Sequence, residues 1–397
     1  MYSIKPLFSP LSYLGLMWLA YVFSFVDNGF GWGSAFPYYP EDHIFVYVVF
    51  TIAFLLGCVT GASLASGRTI VHLNLNPRKV WVFLVIASLF QIGKFINIGD
   101  IPLLGDPMSR YRTTLGGYED YPSRLLAPLS ILFFYLYMTT KNRTFLYGSL
   151  FAFSLPLLLM QRQEIMNSMI GGLMTYALFN RFSVRTIVTT ICLSLIFLVI
   201  VVAGLAMVRF GYENLAGNMG VFEAVFWVFH GELTTPIRLG AFIHENIESM
   251  NGRYTLAGFA SVFIPGFSDH GAEFIRRRFT DADTAQSVGG LYGYMLDFGI
   301  IGVGVFSFLS ASFVYYFYTK WIKAENIVYV VMYPIIFSQL LWNIRSGNFV
   351  IMPMLLYMIF AIFYITEFSN RTRLANVFGL GFLMTIPLSF VGLVVRI

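Results

Sequence analysis

Residues 209–289 read RFGYENLAGNMGVFEAVFWVFHGELTTPIRLGAFIHENIESMNGRYTLAGFASVFIPGFSDHGAEFIRRRFTDADTAQSVG. The segment separates two long apolar runs and is the longest part of the chain that is too polar to cross a bilayer. It contains six arginines and no lysine. Arginine presents a planar, permanently charged fork suited to phosphate or carboxylate, whereas lysine is a point charge. The segment therefore predicts a loop that binds an anionic group, held at a membrane surface by the remaining chain.

The composition of the whole chain indicates an all-α polytopic membrane protein. The 397 residues are 57% hydrophobic and 11% charged, and the mean hydropathy is +0.72. A hydrocarbon layer about 30 Å thick requires ~20 apolar residues per helix. We predict one transmembrane domain over residues 1–397, with residues 209–289 as its large, partly helical loop. About eleven spans are expected, at residues 8–26, 44–66, 80–97, 123–140, 145–160, 165–180, 186–208, 290–318, 326–342, 347–366 and 375–394.

The charges of the connecting segments predict the orientation, because short cytoplasmic loops carry an excess of lysine and arginine. One face collects short basic segments whose only acids are Glu325 and Glu367, and we assign it to the cytoplasm. The N-terminus is then inside, the first span serves as an uncleaved anchor, and the C-terminus is outside. The basic residues of this face are Lys5, Arg68, Arg78, Lys79, Lys141, Arg143, Arg181, Arg185, Lys320, Lys323, Arg371 and Arg373.

The opposite face carries twelve arginines and a single lysine, Lys94, which lies within snorkelling reach of an interface. Within its long loop, residues 221–250 have the pattern of an amphipathic helix, and Thr235-Pro236 is a candidate break that would divide it in two. The apolar run Leu256–Pro265 is expected to dip into the membrane surface.

The arginines of the outer face are the candidate contacts to an anionic group. They lie in the loop 98–122, at the tip of the hairpin 161–164 and at span ends, where intramembrane charges face headgroups or a cavity rather than lipid. The alternative is that they pair with neighbouring acids in a folded outer layer. Those that we select are Arg110, Arg112, Arg162, Arg209, Arg253, Arg278 and Arg345.

His230 and Glu232 lie together on the predicted loop helix and are the candidate general bases. Transfer of a glycosyl or acyl group to a hydroxyl needs a proton acceptor near the nucleophile. A hydrogen-bonded surface pair without a catalytic role is the alternative.

We expect neither a metal nor a cofactor. The five histidines lack close ligand spacing, and both cysteines, Cys58 and Cys192, lie inside apolar runs. No phosphate-binding loop, dinucleotide fingerprint or serine-hydrolase elbow is present in the sequence. The sequence pI near 9.0 reflects orientation charges and outer-face arginines, so no nucleic-acid partner is predicted.

Residues 286–302 read QSVGGLYGYMLDFGIIG. This segment, with Phe263-Ile264-Pro265 and the basic run before it, resembles the Wzy-type oligosaccharide repeat-unit polymerases, in which such a stretch leads from the large periplasmic loop into the next span. The resemblance implies a GT-C-like membrane glycosyltransferase in the bacterial inner membrane with a periplasmic active site. It implies undecaprenyl-diphosphate-linked oligosaccharides as donor and acceptor, with Tyr292 among the substrate-binding residues. Membrane lipids and a chain-length regulator are the other partners that it suggests.

Three other functions stay open on the sequence. An O-antigen ligase would share the loop layout and transfer to a different acceptor. A flippase or transporter would move the same lipid-linked sugars, although such proteins often show internal repeats and this chain shows none. A non-catalytic scaffold would tolerate the loss of single loop arginines.

Overall fold

The computed structural model describes ten stretches of the chain and several single positions between them. These are residues 3–24, 40–66, 73–106, 122–180, 220–246, 249–252, 288–289, 291–324, 326–346 and 366–368, together with positions 109, 185, 188–189, 192–193, 196, 204, 254–255, 275 and 278.

The described residues form nine α-helices and one pair of short strands. A 3₁₀ turn, Lys5–Phe8, precedes them. The helices are α1 (Pro10–Ser24), α2 (Pro40–Ala65), α3 (Pro77–Ile98), α4 (Leu126–Thr140), α5 (Arg143–Leu158), α6 (Arg162–Phe179), α7 (Val221–Asn246), α8 (Tyr292–Ile322) and α9 (Ile327–Ser346); the strands are β1 (Leu73–Leu75) and β2 (Thr366–Phe368).

Four of these helices are long and apolar enough to cross a membrane, namely α2 from His43, α3, α8 and α9 as far as Arg345. The chain is therefore a helical membrane protein, as the composition predicts. The first six, the eighth and the ninth predicted spans each fall on a helix. The last two predicted spans and most of the seventh lie outside the described residues, so the count of eleven stays a prediction.

The helix at the ninth predicted span, 326–342, is longer than predicted, because residues 343–346 form the last turn of α9. One local expectation is wrong. The predicted break at Thr235-Pro236 does not occur, because α7 runs through Pro236 without interruption.

The closest packing in the bundle joins α2 to α8. A Cβ atom on Gly57 would collide with the carbonyl oxygen of Phe308, and one on Gly61 would collide with that of Ser312. The two helices run parallel, and their backbones touch because glycine leaves room for the approach. Small residues serve this purpose in membranes, where no hydrophobic force drives one helix against another.

One face of the bundle gathers segments that the charge pattern assigns to the same side. The Lys5 ammonium donates to the carbonyl oxygen of Ile322 at the end of α8, at 3.1 Å. Strand β1, which follows α2, pairs antiparallel with β2, and Leu73 lies opposite Phe368. Both contacts agree with the predicted grouping of these loops.

The opposite face is covered by α7. The imidazole Nε2 of His230 lies 3.1 Å from the carbonyl oxygen of Phe23, and the guanidinium of Arg238 donates to that of Ser24 at 2.7 Å. These bonds join α7 to the carboxyl end of α1. They also give partners to carbonyl groups that a helix end leaves without intrahelical bonds.

Further along α7, the end of α9 and the start of α8 come into contact with it. The Gly289 amide donates to the Pro236 carbonyl at 2.8 Å, and a Cβ on Gly289 would lie 2.6 Å from the carbonyl oxygen of Ile344 in the last turn of α9. Gly240 packs against Tyr292, the first residue of α8.

The last turn of α7 meets the start of α2, where His43 Nε2 lies 3.6 Å from Glu245 Oε1. Helix α7 thus lies across the same-side ends of α1, α9, α8 and α2, which places its axis roughly parallel to the membrane plane. We call α7 the lid.

We predict that Gly57→Leu lowers the melting temperature of the purified protein in detergent, with a loss of roughly 1–3 kcal/mol from overpacking. Gly15→Leu is the matched control, because a side chain at Gly15 of α1 meets nothing within 4 Å. Equal melting temperatures for the two variants would show that the α2–α8 contact is not needed for stability.

Candidate functional site

The turn between α5 and α6 lies beneath the lid. Helix α5 ends at Leu158 and α6 begins at Arg162, so the turn is as tight as the sequence predicts. The Gln163 amide donates to Gln339 Oε1 of α9 at 2.6 Å. Gln339 precedes Arg345 by six residues, so the turn lies roughly 9 Å below the end of α9. Arg162, the first residue of α6, therefore lies at about the same depth below the end of α9.

Side chains from α3 and from the start of α4 fix this turn. The Gln91 amide donates to Gln161 Oε1 at 3.2 Å. Arg124 pairs with the Glu164 carboxylate at 2.8 Å and also donates to Gln163 Oε1 at 3.2 Å. The Glu164 side chain is 2% exposed, which makes this a buried ion pair. We call Gln91, Arg124, the turn 161–164 and Gln339 the turn cluster. It gives the half-buried Arg162 a fixed position.

Four amide atoms in and around the turn cluster have no hydrogen-bond partner among the described residues. They are Gln91 Oε1, Gln161 Nε2, Asn167 Nδ2 and Asn343 Oδ1, each on a residue that is at most 2% exposed. Buried polar atoms in native proteins bond to water or ligand where protein partners are lacking. Water or the hydroxyl groups of a ligand would satisfy these four atoms.

Two polar residues of this region, Arg124 and Gln91, were not selected from the sequence, and a third, Lys94, has an environment that differs from the predicted one. Arg124 directly follows a polar loop, and its place at the outer end of a span, on the side of the hairpin tip, was the available signal. Gln91 is an isolated amide in an apolar helix. Lys94 was expected to snorkel to an interface, but it is fully buried within the bundle. A buried lysine in a spanning helix is itself a functional candidate.

The loop that carries Arg110 and Arg112 is attached to the turn cluster at both ends. At its start, the Leu103 amide donates to the Leu158 carbonyl at the end of α5, at 3.1 Å. At its end, Arg124 binds Glu164. Arg110 and Arg112 themselves lie outside the described residues.

Asp297 holds a second arginine-bearing segment. Its carboxylate is 3% exposed, and it accepts the Tyr254 amide at 3.1 Å and the Thr255 amide in a short contact. The Ser249 hydroxyl donates to the Asp297 carbonyl at 3.1 Å. Asp297 thus positions the chain on either side of Arg253, through its backbone carbonyl before that residue and through its carboxylate after it. That arginine, like Arg209, lies outside the described residues.

Tyr292 does not face an open site in this structure, contrary to its predicted role as a substrate contact. It is fully buried, with Gly240 of the lid on one side. The His43 ring lies 5.5 Å away, centroid to centroid. The geometry makes Tyr292 the residue on which the lid rests at the start of α8.

His230 has protein partners at both ring nitrogens. Nε2 lies 3.1 Å from the Phe23 carbonyl, which can only accept, so this nitrogen carries the proton of that bond. Nδ1 lies 3.4 Å from the Thr234 hydroxyl. The residue is 4% exposed, and burial lowers its pKa. This arrangement anchors the lid and does not support a general-base role. Glu232 lies one turn before Pro236 on α7, and its side chain is outside what the structure describes.

The two remaining predicted arginines differ in environment. Arg345 is half-buried at the end of α9, and its guanidinium carbon lies 5.3 Å from the centre of the Trp342 ring, a cation–π contact. Arg278 is exposed in a helical conformation. The structure thus brings Arg162 and Arg345 to the same end of the bundle, under and beside the lid.

The far end of the lid carries titratable groups that sequence reasoning did not select. His43 of α2 faces Glu245, and its ring lies 6.4 Å from that of His244. Burial lowers the pKa of His244, and the neighbouring His43 lowers it further. In the part of the chain that the structure describes, no group of three or more His, Cys, Asp or Glu residues is placed to hold a metal ion.

Comparison with known proteins gives one family match. The family model described as "Putative O-antigen polymerase" matches residues 6–357, which include the turn cluster, the lid and α9. No curated protein and no solved structure matches the chain.

We predict that Glu164→Ala destabilises the protein by about 3–5 kcal/mol, because it leaves the Arg124 guanidinium partly buried without its carboxylate. The double variant Arg124→Leu/Glu164→Leu should be more stable than Glu164→Ala alone. Unfolding in mixed detergent micelles measures both. A double variant that is less stable than the single one would contradict the ion-pair account.

The lowered pKa values of His230 and His244 predict that docking of the lid weakens in acid. When the lid separates from the bundle, its histidines bind a proton below their ordinary pKa of about 6.5. In the docked lid the same residues resist protonation. Docking is then fully stable above about pH 6.5 and is lost progressively as the pH falls towards the lowered pKa values. Hydrogen exchange of residues 221–246, corrected for intrinsic rates, should be faster at pH 5.5 than at pH 7.5. The variant His230→Gln/His244→Gln should show a smaller difference, and equal exchange in the wild type would exclude the effect.

Proposed function

The chain belongs to the O-antigen polymerase family, and we propose on that premise that it is a membrane glycosyltransferase. It polymerises undecaprenyl-diphosphate-linked oligosaccharide repeat units at the outer face of the bacterial inner membrane. Family membership supports polysaccharide polymerisation as the general activity. The lipid-linked donor and acceptor, the periplasmic site and a GT-C-like arrangement of about eleven spans are the finer parts of the proposal.

The observation that carries the proposal is the placement of Arg162. It lies in a tight turn that three surrounding segments fix through Gln91, Arg124 and Gln339, below the level of the lid. A permanently charged guanidinium on a backbone fixed in this way is suited to the diphosphate of a lipid-linked sugar. The lipid tail would remain in the hydrocarbon, and the sugars would lie towards the lid.

The reaction needs stabilisation of a leaving group. The acceptor hydroxyl attacks the anomeric carbon of the donor, the bond from that carbon to the phosphate oxygen breaks, and undecaprenyl diphosphate leaves with the electron pair. Fixed guanidinium groups can stabilise the charge that develops on the phosphate oxygen. Arg162 is the first candidate for this role and Arg345 the second.

Three other arginines lie on segments whose flanking residues are bonded near Arg162 or to Asp297. Arg110 and Arg112 lie on a loop that starts and ends at the turn cluster, and Arg253 lies in the segment held by Asp297. Arg209 and Arg278 remain proposed contacts on sequence grounds alone. Glu232 is the proposed proton acceptor for the attacking hydroxyl, with His230 reassigned to anchoring the lid.

We predict that Arg162→Ala reduces the rate of polymerisation by roughly 10²–10³-fold, the effect of removing one fixed donor to a developing oxyanion. Purified protein is incubated with a lipid-linked repeat unit, and the products are resolved as a ladder on a gel. Arg143→Ala is the matched control, since Arg143 is exposed at the opposite end of α5.

A melting-temperature measurement on each variant separates loss of chemistry from loss of folding. If Arg162→Ala and Arg209→Ala both make full-length polymer, the phosphate-clamp assignment fails. If the wild-type protein makes no ladder and instead transfers one preformed glycan to a different lipid acceptor, the chain is a ligase.

A further inference from the structure

The amino-terminal half of the lid exposes large apolar side chains. Phe222 is 93% exposed and Phe226 is 54% exposed, while Val221 beside them is 62% exposed. Single exposed apolar residues are ordinary on a protein surface, but two phenylalanines one turn apart form a patch. The direction in which this patch faces decides what covers it.

The patch lies on the membrane side of the lid. Phe222 and Gly240 are eighteen residues apart, which is five full turns, so they share one face of α7. At Gly240 that face rests on Tyr292, at the outer end of the spanning helix α8. The same face at Phe222 and Phe226 therefore points towards the membrane, beyond the contact of the lid with the bundle.

The other side of the same turns is covered. Ala224 and Val228 lie about 200° around the helix from Phe222 and Phe226, and they are only 1% and 2% exposed. The phenylalanines therefore face away from the protein that covers Ala224 and Val228, and the Gly240 contact gives the direction of their face.

The level of the lid is set by its bonds to α1. His230 and Arg238 bind the Phe23 and Ser24 carbonyls at the carboxyl end of that apolar helix, which we expect at the edge of the hydrocarbon. Phe226 precedes His230 by one turn and Phe222 by two, so both lie at the level of the headgroups. Trp227 is in the same turns, and aromatic side chains favour this interface.

We propose that the turns of α7 that carry Phe222 and Phe226 insert into the boundary between headgroups and acyl chains of the adjacent leaflet, so that the lid is bound to the lipid surface as well as to the bundle. An amphipathic helix in the plane of the interface buries its apolar face about 5–10 Å deep. This contact is independent of the polymerase assignment.

Site-specific fluorescence tests the proposal. A polarity-sensitive dye is attached at Phe222→Cys in the full-length Cys58→Ala/Cys192→Ser background, and the protein is reconstituted in phosphatidylethanolamine–phosphatidylglycerol vesicles. The expected result is a blue-shifted emission that is lost when the acyl chains are brominated. The control is Asn246→Cys, at the exposed polar end of the same helix, where aqueous iodide should quench and brominated lipid should not.

Two results would overturn the proposal. Quenching of the dye at position 222 by iodide, with no effect of brominated lipid, would place the patch in water. Shielding from both quenchers would mean that protein covers it, and energy transfer between labelled copies would identify a second chain as the cover. Phe226→Cys provides an independent reading of the same face. Because the measurement does not involve polymer synthesis, its failure would leave the proposed function untouched.

Discussion

The requirement that a polar group in an apolar bundle be bonded organises this protein more than any single contact does. Arg124, Glu164 and the amides at positions 91, 163 and 339 would each be costly alone at membrane depth. Each of them has at least one hydrogen bond or ion pair within the turn cluster, which joins α3, α6, α9 and the residues just before α4. The price is that none of these helices can shift without breaking a bond in a low-dielectric environment. That rigidity suits a site where a guanidinium must be in place before charge develops.

The lid is held by side-chain bonds to backbone carbonyl groups and by contacts at exposed helix ends. It binds the ends of helices, where backbone carbonyl groups are available. Charged side chains cost little desolvation free energy there because water is near. At one end it donates to the carbonyls of Phe23 and Ser24, and at the other it relies on the contact of His43 with Glu245, whose side chain is 39% exposed. The turn cluster is thus tightly bonded, whereas the lid has weaker, more hydrated attachments.

The sequence predicts the positions of the described membrane helices well, but it does not predict the environments of single polar residues. Long apolar runs identify spans directly, and the isolated arginine at a tight hairpin drew attention to Arg162. Nothing in the one-dimensional pattern shows that Gln91 or Lys94 faces a neighbour and not lipid, since one polar residue in an apolar helix fits either environment. For Tyr292 and His230, which are predicted to act chemically, the sequence does not show the burial and the contacts with Gly240 and Phe23 that the structure gives them. Asp297 was part of the family signature, and only its bonds to the backbone at positions 254 and 255 explain why a carboxylate belongs there.

The glycine contact between α2 and α8 has a consequence for biosynthesis. Helix α2 makes its most extensive contacts with α8, yet Phe308 is synthesised about 250 residues after Gly57. At ~5–20 residues per second, α2 waits roughly 12–50 s in the membrane before its main partner leaves the ribosome. During that interval its glycine face is open to lipid or to the insertion machinery. Its high apolarity, with mean hydropathy 2.4 over the span from His43, keeps it inserted until α8 arrives.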